Sequence, residues 1–390
     1  MLIGEKVQAA LAEKRAAFQL AAAEITAARD SYGDLLRRLA GMSSNEVSEH
    51  LGGVPWPGAR PTRELDHHGL FVPFRERWET AQEARAWALD RLRGVPTLAV
   101  DGSQIAPSKE FGVPVSLVQV AWFENYHDAD RPYCKDVRNE VLSPGDNPAE
   151  PEQYAFIESR LSQRRFALEM QVARERLQAL DPNAGSVVLI DGTFVLSFAG
   201  RLAPPARQSY LSALFALLDA SEQSGVPVVG YVDLSYASDL AGLLETAFDR
   251  TGGRVFDAQI LAPHMNAFDR TVAFQCARGD VLPLYRAAER DYGSDLYFVY
   301  LKTGHDRLPA RLDFPSWVLE AGLLDHVVDV VRAEAVVGSG YPYALETADA
   351  ATVLTTEDRL RFYRLFHDFA RASGLAAEIP GKSVSKGHRR

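Results

Sequence analysis

Cysteine is nearly absent: the 390-residue chain holds only Cys134 and Cys276, far apart and without a C-x-x-C partner. That argues against a disulfide framework and a zinc knuckle and fits a reducing cytoplasm. No apolar run reaches the roughly 18 residues that a membrane span needs. Near the start, Glu5, Lys6, Glu13, Lys14 and Arg15 interrupt the alanines and break up any signal-peptide stretch. Positive charge is also short. The 42 Lys and Arg face 52 Asp and Glu, a net charge of −10, which argues against coating nucleic acid by charge alone. A local basic groove could still coexist with an acidic remainder, and a catalytic carboxylate cluster would itself add negative charge.

Several motifs are missing as well. Gly338-Ser339-Gly340 lacks the lysine of a phosphate loop, and no G-x-x-x-x-G-K-[ST] occurs, so the chain is not expected to hydrolyse ATP itself. The nine histidines contain no H-x-x-x-H, which disfavours a zinc hydrolase. Asp66-His67-His68 has the letters of a phosphoesterase motif without its companions and reads as a polar loop. Asp191-Gly192-Thr193 is similar to a dehalogenase nucleophile loop, but leucine occupies position 189, where the spacing of that loop would need a second aspartate. His305, beside Lys302 and Asp306, reads as a loop histidine worth watching. There is no internal repeat. What is present is ordinary globular usage, 47% apolar and 24% charged, at a length that suits one large domain or two.

Along the chain, alanine, leucine, glutamate and arginine at helical spacing predict one long helix over 4–40. Gly, Pro and Ser then predict loops over 41–73, followed by a second helix over 79–93 that stops at Gly94. From there the period changes. A short apolar strand is predicted at 97–100, a longer one rich in valine and aromatics at 113–126 and a third near 137–142, then a turn at 143–146 and a helix over 151–180. The strand 186–190 follows, and after it come a helix near 207–223, a strand 226–232, a helix near 238–248 and a short strand near 255. The strand 296–301, a short helix 317–324, a strand or helix over 327–334 and a closing helix 343–373 complete the pattern.

Three meander strands, a helix, a strand and then alternation is the order of an α/β, ribonuclease H-like (Piwi-like) mixed sheet flanked by helices; a doubly wound sheet would not begin with a meander. The predicted organisation is an N-terminal helical segment and loop over 1–94, a core domain over 95–373, and a polar, basic tail over 374–390 expected to be disordered.

Four acidic residues fall at informative places in this order. Asp101 and Asp191 each follow an apolar strand and precede a glycine, and in a ribonuclease H-like sheet those strands are neighbours. Two adjacent carboxylates repel and desolvate each other, and a hard divalent cation such as Mg²⁺ or Mn²⁺ relieves this. Either Asp-Gly alone is equally an ordinary turn. Glu169 lies on the helix between them with Arg165 four residues before it, so a surface ion pair explains both without catalysis. Glu152, Glu158 and Glu175 compete with it locally, and Asp349 reads equally as a helix-surface residue.

Taken in order, four segments resemble the motifs of NurA nucleases: Leu98-Ala99-Val100-Asp101-Gly102-Ser103, the helix with Arg165-x-x-x-Glu169, Val187-Val188-Leu189-Ile190-Asp191-Gly192, and the closing stretch from Gly340-Tyr341-Pro342-Tyr343 to Asp349. The segments 229–231, 298–302 and 311–315 resemble further family stretches, so the likeness spans roughly 95–370. It implies a Mn²⁺-dependent DNA nuclease, with Mg²⁺ as the alternative, acting 5′→3′ on DNA ends and also on single strands. It further implies a homodimer that works with a HerA-type hexameric translocase in DNA-end resection and repair. By resemblance, Asp101, Glu169 and Asp191 would bind metal, with Tyr341 and Asp349 completing the site. Asp349 stands where many members carry histidine. Ser103, Arg165, Lys302 and Arg311 are the expected substrate contacts. Two other readings remain open: a non-catalytic DNA-end adaptor for a translocase, and a metal-dependent phosphatase acting on small esters.

Overall fold

The apolar run Leu98-Ala99-Val100 is buried on both faces, as a strand enclosed by a sheet and two helical layers must be. It opens strand β1 (Thr97–Ile105), which pairs antiparallel with β2 (Ser116–Asn125) from Thr97↔Asn125 to Ile105↔Leu117. β2 in turn pairs antiparallel with β3 (Cys134–Leu142), whose exposed Val137 and Val141 mark it as partly solvated. After α1 (Tyr154–Leu177) the chain returns as β4 (Val187–Asp191), parallel to β1 from Thr97↔Val187 to Val100↔Ile190. Here too the residues Val187, Val188, Leu189 and Ile190 are a continuous buried run. α2 (Pro204–Ser224) then begins with proline in its first turn and stops at Gly225 in the left-handed region, before β5 (Val228–Val232).

The computed structural model describes residues 3–107, 113–143, 154–250, 255–287 and 290–375. The chain forms two compact units, each from separated segments. One comprises 79–192, 198–229 and 317–390 and holds β1–β4 and the start of β5. In it α1 packs on α2, the helix Ala81–Leu92 packs on α3 (Leu324–Val337), and α4 (Tyr343–Thr352) lies against β1 and β2, followed by α5 (Thr356–Ala372). This is the mixed sheet flanked by helices of a ribonuclease H-like fold.

The other unit comprises 1–78, 193–197 and 230–316. Its strands β6 (Leu296–Leu301) and β7 (Ala310–Pro315) pair antiparallel, and β7 continues onto Gly230, Tyr231 and Val232. Its interior holds a charged trio: Arg311 donates to Asp239 at 2.9 Å and to Asp313 at 2.6 Å, with the guanidinium 4.0 Å above the Phe298 ring. Asp313 also accepts hydrogen bonds from the Thr193 hydroxyl and the Phe194 amide. Burial, and then the neighbouring Asp239, push Asp257 up to about 7, where it caps Leu240 and Ala241 and accepts from Tyr300.

Several expectations need correction. The helix predicted over 4–40 is two, Gly4–Glu13 and Arg15–Ala40, interrupted at Lys14. The closing helix also breaks, because Thr355 and Asp358 form a reciprocal cap that starts α5 anew. The loop region 41–73 contains the helices Ser44–His50 and Glu64–His68 and the strands Gly58–Pro61 and Phe71–Val72. Within it Asp66 is no loop residue: it accepts from the Ser44 amide at 2.6 Å and hydroxyl at 2.7 Å. Among the described residues no strand forms near 255, and Asp257–Leu261 is helical. The segment 327–334 is helix, inside α3. The predicted turn at 143–146, from residue 144 on, the first residues of the 151–180 helix and the tail from 376 lie outside the described residues. Among the described residues no helix is long and apolar enough to cross a membrane.

Removing one member of a buried, hydrogen-bonded charge group leaves its partners unpaired and typically costs about 3–5 kcal/mol. Arg311→Leu is therefore expected to lower unfolding stability by about that amount, read by urea denaturation. A variant as stable as the parent would mean that the trio contributes nothing to the fold.

Candidate active site

Strand geometry sends successive side chains to opposite faces, so Asp101 and Ser103 share one face of β1 while Gly102 turns the other way. On the Asp101 face lies the end of α4. The Thr352 hydroxyl donates to Asp101 Oδ2 at 2.8 Å and is also 2.8 Å from the Asp349 carbonyl. The Ser103 hydroxyl and the Gln119 amide group both donate to the Thr352 carbonyl. Asp349, one turn before Thr352, is thereby brought beside Asp101. Partial burial, the Asp101 charge and a hydrogen bond with Asp101 hold the Asp349 carboxyl above its ordinary range.

On the Gly102 face lies α1. A methyl group at position 102 would stand 2.3 Å from Glu169 Oε1 and 3.0 Å from Arg165 Cγ, so only glycine leaves room for that carboxylate. Arg165 completes the arrangement. Its guanidinium donates to the Gly102 carbonyl at 3.0 Å and lies 3.5 Å from Glu169 Oε1. Even so, burial and then the charges of Asp101 and Asp191 outweigh Arg165 and push Glu169 up to about 7.

Asp191 arrives from β4. The parallel ladder ends at Val100↔Ile190, so Asp101 and Asp191 are the next residues on adjacent strands. Asp191 is exposed, and Gly192 follows it with φ of 132°, a conformation that favours glycine. Asp101, Glu169, Asp191 and Asp349 are thus gathered at one end of the β1–β4 pair. Of the local competitors, Glu175 pairs with Arg138 at 2.7 Å and Glu158 is exposed, while Glu152 lies outside the described residues.

The remaining candidates are placed differently. Tyr341 is half-buried in the turn that leads into α4. Ser103 lies beside Asp101 but gives its proton to the Thr352 carbonyl. Lys302 and Arg311 belong to the other unit and are buried there. Lys302 donates to the Ala262 and Met265 carbonyls at 2.8 and 2.9 Å, and Arg311 is held by Asp239 and Asp313. In this arrangement neither presents a free cation to a phosphate. His305 is exposed in a loop.

Three residues near the cluster were not expected from sequence: Thr352, Gln119 and Tyr210. The Tyr210 ring packs against Phe166 and Phe198. Its hydroxyl is raised first by burial and also by Glu169, which places it on the Glu169 side of the cluster. Only Thr352 carried a signal, its helical i,i+3 spacing from Asp349.

As placed, no three His, Cys, Asp or Glu side chains among the described residues stand close enough to chelate a cation. The donor set nonetheless suits one. It consists of carboxylate oxygens, the ligands of hard divalent ions, and burial followed by mutual repulsion raises Glu169 and Asp349, penalties on the charged forms that a cation would relieve.

The fold and the cluster can be set beside known proteins. The NurA nuclease from Sulfolobus solfataricus superposes with a TM-score of 0.53 at 13% identity, covering 96% of this chain and 98% of that one. A structure of NurA with manganese matches with a TM-score of 0.47 and 10% identity over 71% of this chain and 89% of that one. The catalytic domain of human endonuclease V matches at 0.33 and 15%, over 80% and 94%. No curated protein shows significant similarity to the sequence. The family model for the NurA domain matches residues 95–354, a span that contains all four carboxylates and most of the chain, and the chain therefore belongs to the NurA family.

Proposed function

We propose that this NurA-family chain is a divalent-metal-dependent deoxyribonuclease whose centre is formed by Asp101, Glu169, Asp191 and Asp349. The observation that carries the reading is the convergence of these four carboxylates, with Glu169 raised to about 7 by burial and by the two aspartates. Mn²⁺, or Mg²⁺ in its place, would be held by these oxygens and would supply an activated water and charge stabilisation at a phosphodiester. The protein's own groups do the rest. Asp101 is oriented by the Thr352 hydroxyl, and Glu169 is held by Arg165 in the space that Gly102 leaves. The Arg165 side chain, 39% exposed, offers positive charge beside the cluster to an incoming phosphate.

The finer reading is exonuclease action from 5′ ends and endonuclease action on single strands, during end resection in the cytoplasm. A homodimer working with a HerA-type hexameric translocase fits the acidic balance, because a partner that grips and moves DNA removes the need for a broadly basic surface.

End-labelled single- and double-stranded DNA incubated with Mn²⁺, Mg²⁺ or EDTA tests this reading. Metal-dependent cleavage is expected in the parent chain, falling by at least about a hundredfold in Asp101→Ala and Asp191→Ala with the circular dichroism spectrum retained. Unchanged cleavage in either variant would sink the assignment. Hydrolysis of a small nucleotide ester without cleavage of DNA would point to a phosphatase, and no cleavage even with a HerA-type translocase added would point to an adaptor.

The pH dependence has a definite sign. Glu169 in the folded protein gives up its proton near 7 rather than near 4.5, so a cation binding there must displace that proton. Mn²⁺ affinity is expected to rise with pH through about 7 and then level, with proton release on binding in calorimetry at pH 6. Without metal the folded state holds the proton more tightly than the unfolded state, so stability should fall as pH rises from about 4.5 to about 7. A Mn²⁺ affinity that is flat over this range would remove Glu169 from the site.

A further inference from the structure

Glu334, on α3, is 1% exposed, a carboxylate taken out of water and not itself a member of the cluster. One of its oxygens accepts the Thr97 hydroxyl at 2.8 Å, and the other accepts the Ala344 amide at 2.8 Å. His127 Nε2 stands 3.5 Å from the first oxygen, while its Nδ1 is 2.7 Å from the Val95 carbonyl. Thr97 is the first residue of β1, the strand that carries Asp101. Ala344 lies in the first turn of α4, the helix that carries Asp349 and Thr352, and that helix has no side-chain cap of its own at Pro342. Glu334 therefore supplies from α3 the acceptor that the helix N-terminus lacks, with a charge that suits that end of the helix dipole.

The opposite end of α4 is tied to the same strand, through Thr352 to Asp101 and through Ser103 to Thr352. The two ties are commensurate. From Ala344 to Thr352 a helix rises about 12 Å, and from Thr97 to Asp101 a strand advances about 13 Å. α4 is thus pinned along β1 at both ends, with the Tyr343 ring edge-on to Phe123 of β2 near the first pin. A shift of one helical position at the Glu334 end would rotate Asp349 away from Asp101.

We propose that Glu334 is the positioning residue of the carboxylate cluster, setting the register of α4 on β1 and so the placement of Asp349 and Thr352 against Asp101. Burying a carboxylate is costly, and specifying register is the best-attested use of such a group. This inference rests on the reading of the cluster as a cation site. Its failure and the failure of that reading can be told apart.

The experiment is calorimetric titration of the full chain with Mn²⁺, beside thermal denaturation without metal, for the parent, Glu334→Gln, Thr97→Val and Asp101→Ala. Groups that orient metal ligands typically change affinity by about 10–100-fold when altered. Glu334→Gln is expected to fall in that range, and Thr97→Val to shift in the same direction by less. Lost binding in Asp101→Ala with parental affinity in both Glu334→Gln and Thr97→Val would keep the cation site and overturn the positioning role. So would a Glu334→Gln protein that melts earlier but binds Mn²⁺ as the parent does. Should Glu334→Gln not fold, Thr97→Val decides alone: parental affinity there overturns the proposal. Parental binding in Asp101→Ala would overturn the cation site itself, and the positioning role with it.

Discussion

Two apolar strands paired in parallel carry like charges to the same end of the sheet, and the groups around that end are arranged about the repulsion that results. Asp101 and Asp191 are brought side by side by the parallel pairing of two apolar strands, which the hydrophobic effect stabilises whatever the aspartates prefer. The strands are buried along their length, and the carboxylates sit where the ladder ends. Core burial thus provides the driving force, and the aspartates are carried into proximity by register. Glu169 and Asp349 join them from helices on opposite sides of β1, each with its acidity weakened first by burial and then by the neighbouring carboxylates.

That two-sided approach explains residues that would otherwise look incidental. A strand cannot direct neighbouring side chains to the same face, so a cluster centred on Asp101 must recruit Glu169 past the strand itself. Gly102 makes this passage available by having no side chain, and Arg165 bridges the Gly102 carbonyl and the Glu169 carboxylate across it. On the other side, Thr352 uses its hydroxyl on Asp101 and its carbonyl on Ser103 and Gln119. One glycine and one threonine thus allow two helices to serve one strand.

The meander, the crossover helix and the parallel return were legible because their sequence periods differ sharply. The runs 97–100 and 187–190 are apolar throughout, as strands buried on both faces must be, and the helix between them is not. Each Asp-Gly was legible for the same reason, as polarity appearing abruptly at the end of such a run. The short strands Gly58–Pro61, Phe274–Ala277 and Ala310–Pro315 were not, because their stability comes from partners distant in the chain. Lys302 and Arg311 illustrate another limit. A cation beside an apolar strand looks the same in sequence whether it faces a phosphate or, as here, buried carbonyls and carboxylates. Glu334 is the converse: nothing local distinguishes it from a surface glutamate, and only the fold brings Thr97 and Ala344 to its two oxygens.

Three groups of buried or half-buried charge differ in their balance. Arg311 lies between Asp239 and Asp313, so the two carboxylates share one guanidinium, and Asp313 accepts the Thr193 hydroxyl and the Phe194 amide besides. Glu334 is a lone carboxylate, but a hydroxyl and a helix-end amide point at its oxygens and His127 stands beside it. The cluster at Asp101 is unlike either. Four carboxylates face the single charge of one arginine that is itself 39% exposed, and burial together with this imbalance holds Glu169 and Asp349 above their ordinary range. Neutralising protons are one remedy for such an excess, and a divalent cation is the other. The first leaves the protonated groups inert as base and as ligand; the second needs the carboxylates to draw closer than they stand, since no three among the described residues are near enough to chelate as placed. The ends of two interior strands and two flanking helices thus meet at uncompensated negative charge, the feature on which the proposal of a cation there rests.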